Sequence, residues 1–599
     1  MVDDPATRRG LLRRAAAWSA MPPASHSSMP RVSVSARPGA SFQAAEFGFV
    51  GVFGLDWLLE PSFARLLDNI AASPGAVRGV RTFGALSGGR GKTFPTSSTH
   101  VWERADEPPD FTRMLQALDA LVSRGLTPFL PLTFFPPAVS AQVIEPPPSL
   151  DNWQLLVRTF LDAAIARFGA AEVAGWWFEV WNEPNMPPFW SGSFDRYLDL
   201  YRATSDAVLA SGHTVRLGGP VIAYTPEEGP ALMERFLEFL RDEPRIKCDF
   251  ISYHRKGAWS DAEAEPDLAR LIVAAEATAA AVLRLVPERA GGLAFVNDEA
   301  DMKVGFDQPY PPRNTAQSAS WLAASMIAHD RLTNAYARHR MRFLAASDNA
   351  NLQLAREPFD GRRMLMTPLS SAPADQVKLP VLGFYELLRC LSDRHGAANK
   401  ASDAISHLVT VGADGIAVLF TRYRDTGSAD LDCVVRDIPW RRVNVVQFRI
   451  DAAHTNAARG APDARRMRLA QELGVLAPLR SGLSVAGTLR ERVPLGPFAT
   501  ALLWITPHHG NRPPTPSWLE AKRETGNVVL RWTADRAPSF YSYEVSRNRA
   551  VAGSVRISPH PLRAAMWIDT AAPDGPLVYI VRAVSASGVA SRPASTGPV

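Results

Sequence analysis

Two acidic residues occupy chemically suggestive positions in this 599-residue chain. The first is Glu183, in Gly175-Trp176-Trp177-Phe178-Glu179-Val180-Trp181-Asn182-Glu183-Pro184-Asn185. The run before it is almost wholly apolar, as a buried strand requires, and Pro184 ends the strand because it lacks an N–H and fixes φ. The second is Glu299, in Gly292-Leu293-Ala294-Phe295-Val296-Asn297-Asp298-Glu299-Ala300-Asp301, where another apolar run passes directly into an acidic cluster. Two carboxyl groups facing each other across a sugar-sized gap can break a glycosidic bond. One of them, kept protonated by apolar surroundings and a nearby carboxylate, donates to the leaving oxygen, and the other attacks the anomeric carbon. Trp176, Trp177, Trp181 and Trp190 are expected as apolar walls for Glu183, and Asn182 as the hydrogen-bond partner of a sugar 2-hydroxyl. Plainer readings exist: Glu183 as a loop cap, and Asp298, Glu299 and Asp301 as a divalent-cation site or a solvated acidic loop. The placement of both acids at the ends of buried strands favours the carboxylate pair, and no metal or other cofactor is expected.

Such residues need a scaffold that brings distant strand ends together. Short apolar runs at 47–52, 79–83, 127–133, 176–181, 215–219, 249–254, 294–297 and 343–347 each precede a stretch with apolar residues three or four apart, such as 110–125 and 153–169. Eight alternating units predict an α/β chain with a (β/α)8 TIM barrel over 45–395, whose chemistry sits at the carboxyl ends of the strands. After residue 400 the segments 407–420, 432–435, 444–450 and 499–505 are β-branched or alternating, which predicts an accessory β-sandwich over 396–506 joined by a strand within 31–44. The proline-rich run 507–516 reads as a linker. Strands at 528–532, 541–546, 566–569 and 579–584 predict a C-terminal fibronectin-III-like β-sandwich over 517–599.

Composition narrows the classes. With 46% hydrophobic and 21% charged residues and 49 prolines, the chain is globular and rich in turns. Its net charge of +5 comes without a dense Lys/Arg run, so nucleic acid is not an expected partner. Cys248, Cys390 and Cys433 are far apart and odd in number, which predicts free thiols. No apolar run reaches the roughly 20 residues that span a membrane. Thr7-Arg8-Arg9-Gly10-Leu11-Leu12 is similar to a twin-arginine export signal, but Arg13 and Arg14 interrupt its apolar continuation. Residues 1–30 are therefore read as a basic tail or targeting segment, with the cytoplasm as the expected location and export as the alternative.

The two acidic motifs resemble those of glycoside hydrolase family 39, which contains β-xylosidases and α-L-iduronidases, with the α-L-iduronidases the nearer. The likeness covers most of the chain. Phe178-Glu179-Val180-Trp181-Asn182-Glu183-Pro184 resembles the family's acid/base motif. Asn297-Asp298-Glu299-Ala300-Asp301 with Val304-Gly305 after it resembles its nucleophile motif. The resemblance implies that Ile251-Ser252-Tyr253-His254-Arg255-Lys256-Gly257 places His254 and Lys256 in the substrate pocket, with Gly305 beside them. It also implies that Asp348 binds a sugar hydroxyl and that Arg362, in Phe359-Asp360-Gly361-Arg362, meets a substrate carboxylate. Trp181 and Asp301 would support the catalytic pair. From the residues alone, Lys256 and Arg362 read equally as solvated loop cations. Arg81 reads either as a strand-end ion pair or as the buried group that orients Asn182 and Glu183. Phe83 and Phe306 depart from the family's pattern, where a His and a Trp are usual, and weaken the case for iduronide specificity. The combined expectation is a retaining exo-glycoside hydrolase acting on a terminal xyloside or uronide, so that the partner is a glycoside, anionic if a uronide. The alternative is a catalytically inactive carbohydrate-binding or scaffold protein.

Overall fold

The computed structural model describes residues 30–599 apart from 53, 73–76, 88–99, 260–262, 264, 306–307, 348–356, 370–374, 400–404, 477, 525, 536, 538, 550–552 and 560. The N-terminal Arg-rich segment, Phe306 and Asp348 thus lie outside the described residues. A first strand, β1 (Arg31–Ser35), belongs to a later sheet. Eight further strands form one parallel sheet in sequential order: β2 (Phe49–Val52), β3 (Gly79–Thr82), β4 (Thr127–Leu132), β5 (Trp177–Val180), β6 (Arg216–Ala223), β7 (Phe250–His254), β8 (Ala294–Asn297) and β9 (Arg342–Ala345). Val50 bridges Ser347 in parallel, and the Gly51 N–H donates to the Ser347 carbonyl at 2.8 Å, so the first and last strands meet as a (β/α)8 barrel requires.

Helices α1 (Pro61–Ala71), α2 (Thr112–Val122), α3 (Asp151–Phe168), α4 (Phe194–Ser211), α5 (Gly229–Asp242), α6 (Leu268–Leu285), α7 (Ala316–Ala335) and α8 (Pro380–Leu388) follow the strands in turn. Their boundaries are written in the sequence. Ser193, Asp267 and Thr315 cap α4, α6 and α7 by accepting backbone N–H bonds, and Gly212 ends α4 at φ 70°. Most strands are buried along their whole length, which explains their unbroken apolar runs. Among the described residues no helix is long and apolar enough to cross a membrane.

A β-sandwich covers α7, which is buried over most of its length because strands Ser406–Gly412, Gly415–Arg422 and Ala499–Pro507 pack on its outer side. β1 pairs in parallel with Ala429–Arg436 in the sandwich's four-stranded sheet, and a shared core includes Val32, Val34, Val418 and Leu503. The β-rich segment 407–420 is a hairpin, because Gly412-Ala413-Asp414-Gly415 supplies the turn. The C-terminal part has two antiparallel sheets of three and four strands. It docks on α1 through Asp68–Arg531 at 2.6 Å and Arg65–Glu524 at 2.9 Å. The three cysteines are free.

Candidate active site

The carboxyl ends of β3, β5, β7 and β8 converge on one buried cluster. β5 ends in an irregular turn: Trp181 and Glu183 take left-handed φ values of 72° and 42°, conformations that cost on the order of 1–3 kcal/mol each in non-glycine residues. The turn is held by the Glu183 N–H, which donates to the Val221 carbonyl at 2.9 Å. A register shift between Pro220 and Ile222 in β6 aims that carbonyl, with Val221 itself at φ 55°. Glu183 is thereby fixed at the barrel mouth, 8% exposed, and Glu299 after β8 is 5% exposed. One carboxylate oxygen of each, together with a ring nitrogen of His254, all lie within 4.8 Å of one another. The carboxyl pair of a retaining glycosidase stands about 5–5.5 Å apart, whereas an inverting pair stands at about 6.5–9.5 Å.

Cations surround Glu299. Lys256 Nζ lies 2.5 Å from Oε2, Arg81 Nη1 3.2 Å from Oε1, and Arg363 Nη1 3.9 Å from Oε2. Burial alone would protonate Glu299, but His254, Lys256, Arg81 and Arg363 outweigh it and hold the carboxyl well below the usual carboxylate range. Arg81 is the organiser. Its Nε meets Glu179 at 2.9 Å and Asp298 at 2.5 Å, its Nη2 donates to Asn182 Oδ1 at 3.0 Å, and its guanidinium lies over the Phe83 ring, 4.9 Å from the centroid. Of the two readings of Arg81, the strand-end ion pair is present, with Glu179, Asp298 and Glu299 as its carboxylate partners, and the hydrogen bond to Asn182 is present beside it, with Glu183 not among the partners described. Burial with Asp298 alongside pushes Glu179 up to about 8 against the pull of Arg81. The Glu183 partner is His254, whose Nδ1 lies 2.7 Å from Oε1.

Other expectations are displaced. Trp177 points into the barrel with Phe49, Phe129 and Phe250, and Trp176 packs outward on Phe168, because successive strand residues alternate faces. Neither is a wall of Glu183. Trp181 and Trp190 lie together in an aromatic cluster with Phe135 and Trp153. Arg362 pairs with Asp360 at 3.2 Å, and it is Arg363 that reaches Asp301 at 2.8 Å and faces Glu299. Arg313 joins Asp301 from the other side at 3.1 Å. Gly305 lies in the loop after β8 at φ 89°, a conformation suited to glycine. The cation-site reading of the acidic loop meets an obstacle: Asp298 and Asp301 face guanidinium groups, whose positive charge opposes a metal ion. The sequence alone assigns no role to Glu179, Arg313 or Arg363. Glu179 carries a signal nonetheless, since an acid inside an apolar strand demands a buried partner, and Arg81 interrupts β3 in the same way.

His254 supplies a prediction. Burial disfavours its charge, yet the Glu299 and Asp298 carboxylates raise its pKa to about 10. The native state therefore keeps a proton that the unfolded chain loses near pH 6.5, so the stabilisation is complete below about 6.5 and disappears as pH rises to about 10. Urea midpoints of the wild type are expected to fall between pH 7 and 10, with a slope of at most about 1.4 kcal/mol per pH unit from this group, and His254→Gln is expected to flatten that fall. Parallel wild-type and variant curves would contradict it.

Comparison with known proteins agrees with the geometry. The model of glycosyl hydrolases family 39 matches residues 103–418, more than half of the chain. Human α-L-iduronidase is 28% identical over 433 residues, 69% of this chain and 57% of its own length, so the chain spans a little over half of that curated relative. The β-xylosidase of Caldicellulosiruptor saccharolyticus is 32% identical over 151 residues, 23% of this chain and 29% of its own. A solved structure described as the bacterial orthologue of human α-L-iduronidase superposes with a TM-score of 0.81 at 21% identity, covering 95% of this chain and all of its own, and so shares the fold. With Glu183 and Glu299 meeting at the barrel mouth and the family model spanning 103–418, the chain belongs to glycosyl hydrolases family 39.

Proposed function

We propose that this protein is a retaining exo-glycoside hydrolase working by double displacement, with Glu183 as acid/base and Glu299 as nucleophile. The observation that carries this reading is the approach of the two carboxyl groups to within 4.8 Å, with Glu299 surrounded by cations. His254 occupies Oε1 of Glu183, and Oε2 carries the transferable proton. Glu183 gives that proton to the aglycone oxygen as the C1–O bond breaks, and a Glu299 oxygen bonds to C1. Glu183, now ionised, takes a proton from water, whose oxygen attacks C1 and returns Glu299 as carboxylate. Asn182 Nδ2 is buried with no partner among the described residues, a donor free to meet the sugar 2-hydroxyl.

The electrostatics favour a uronide over a xyloside. A β-D-xyloside and an α-L-iduronide share configuration from C1 to C4, so one catalytic pair serves both, and only the group on C5 differs. Arg81, His254, Lys256, Arg313 and Arg363 are cationic. Burial holds Glu179 up to about 8, and Asp298, Glu299 and Asp301 are each paired with one or more of these cations, so the site walls are rich in positive charge. Lys256 and Arg363, both facing Glu299, are the groups proposed to meet a C5 carboxylate, with Gly305 and Asp348 as further proposed substrate-binding residues. The three-plus-four-stranded C-terminal part reads as a fibronectin-III-like module with a structural role. The expected result is hydrolysis of an aryl α-L-iduronide with higher kcat/KM than an aryl β-D-xyloside, and Arg363→Met is expected to lower the former by about 10–100-fold, the range of one charge-assisted contact. Turnover of neither glycoside would overturn the assignment.

A further inference from the structure

The opposite end of the barrel holds a second cluster of charge. Before β3 and β4, at Arg78 and Arg124, the barrel floor, the sandwich and the C-terminal module enclose a cleft of about 960 Å³, also lined by Arg389, Arg563, Trp504 and Phe540. Its arginines are not equivalent. Arg124 is paired with Asp68, with nitrogens at 2.9 and 3.1 Å from one carboxylate oxygen, while Arg531 holds the other. Arg389 and Arg563 have no carboxylate within salt-bridge distance among the described residues, although Asp393 and Asp414 line the same cleft.

Arg563 is 3% exposed, and it spends its N–H groups on the Tyr541 carbonyl at 3.0 Å and the Cys390 Sγ at 3.4 Å, both uncharged partners. Arg389 gives Nη2 to the Asp535 carbonyl, while its Nη1 is buried without a partner among the described residues. Both guanidinium groups sit against one ring, with Cζ 4.6 Å (Arg389) and 5.6 Å (Arg563) from the Phe540 centroid. Burial and the charge of Arg563 lower Arg389 only to about 10, with the Asp535 carboxylate pulling the other way from beyond ion-pair distance, so it remains cationic at neutral pH. Two desolvated like charges around one ring, with a donor left over and open volume beside them, are costly unless an anion completes them. Guanidinium forks match the oxygens of a tetrahedral oxyanion, and an aromatic ring supports the guanidinium planes without supplying a counter-charge.

We propose that this cleft is an oxyanion site: a phosphate or sulfate group, free or as the ester of a sugar, binds between Arg389 and Arg563 and clamps the C-terminal module to the barrel floor. The ligand bridges two parts of the chain. Arg389 follows α8 of the barrel, while Arg563 and Phe540 belong to the C-terminal module. Binding therefore strengthens the docking of that module and leaves the carboxyl ends of the strands untouched.

The test is thermal unfolding of the full-length chain in sodium sulfate, sodium phosphate and glucosamine 6-sulfate, each against sodium chloride of equal ionic strength. The expected result is a saturable rise in Tm of about 2 °C at a hundredfold excess over Kd for a chain of this length. Arg389→Met and Arg563→Met, which keep the apolar stems, are expected to abolish the rise while leaving turnover of an aryl glycoside unchanged. Arg389→Lys keeps the charge without the fork, and is expected to weaken sulfate binding at least about tenfold by calorimetry, which preserves the test if the Met variants do not fold. A response to the inorganic ions identifies the free oxyanion as sufficient, and a response to the ester alone identifies a sugar-borne group. A wild-type response no greater than chloride, or one that persists in the variants, overturns the proposal.

Discussion

Glu299→Ala is expected to lose turnover of an aryl glycoside by at least about 10⁴-fold, with folding stability lowered. The loss follows from the geometry, because Glu299 supplies the carboxylate oxygen that lies within 4.8 Å of Glu183 and His254, whereas Asp298 is paired with Arg81 and Asp301 with Arg313 and Arg363. The stability effect is electrostatic. Glu299 is a buried carboxylate that burial alone would disfavour, held ionised by four neighbouring cations. Its removal leaves those cations buried in mutual repulsion without their counter-charge, which outweighs the desolvation penalty that ends with the acid. Glu183→Ala is expected to fall by about 10²–10⁴-fold, less for good leaving groups, since a phenolate of low basicity departs without a proton. The two variants differ diagnostically with azide. In Glu183→Ala, a small anion entering the space vacated by the carboxyl group attacks the glycosyl-enzyme and gives a β-configured azide from a β-glycoside. In Glu299→Ala, the same anion attacks the substrate directly from the nucleophile's side and gives the inverted product. Steady-state rates with and without azide, and the anomer formed, check both. Wild-type rates in both variants would contradict the assignment of the pair.

Arg81→Met carries the second large effect. This side chain meets Glu179, Asp298, Glu299 and Asn182 within 3.2 Å, and it is only 3% exposed. Its loss leaves buried acids without a counter-charge, a situation that costs about 3–5 kcal/mol when one partner of a buried pair is deleted. Asp298→Asn in the same chain is expected to restore part of that stability but not activity, because Glu299 and Asn182 stay misplaced. A double-mutant cycle by urea denaturation, with kcat measured in parallel, separates the two effects. Additive stability losses would contradict the shared network.

The barrel strands were legible because most are buried along their length and therefore largely apolar, and because serine, aspartate, threonine and glycine mark helix ends. Glu183 and Glu299 were legible for the same reason, as acids that end apolar runs. What remained hidden depended on direction rather than on residue type. Trp176 and Trp177 are neighbours in sequence, and only the pleat decides that one faces the helices and the other the barrel axis. Arg362 and Arg363 are likewise adjacent, and the turn at Gly361, φ 80°, sends the second inward while the first closes on Asp360. The strand Thr488–Leu495 escaped notice because its alternating exposed positions carry Arg490, Arg492 and Thr488, so its hydrophobic signal is thin. The arginine cleft at the barrel floor was invisible for a stronger reason: Arg78, Arg389 and Arg563 lie far apart in the chain, and only the docking of three sheets brings them together.

The most direct measurement is peptide mass mapping after incubation with a 2-deoxy-2-fluoro aryl glycoside. Its fluorine destabilises the oxocarbenium-like transition states, while its good leaving group allows the first displacement to proceed, so that the covalent intermediate accumulates. The expected outcome is one glycosyl group per chain, esterified to Glu299, with Glu183 unmodified. Modification of any other residue, or continued turnover with a single inverted product and no adduct, would contradict the double displacement.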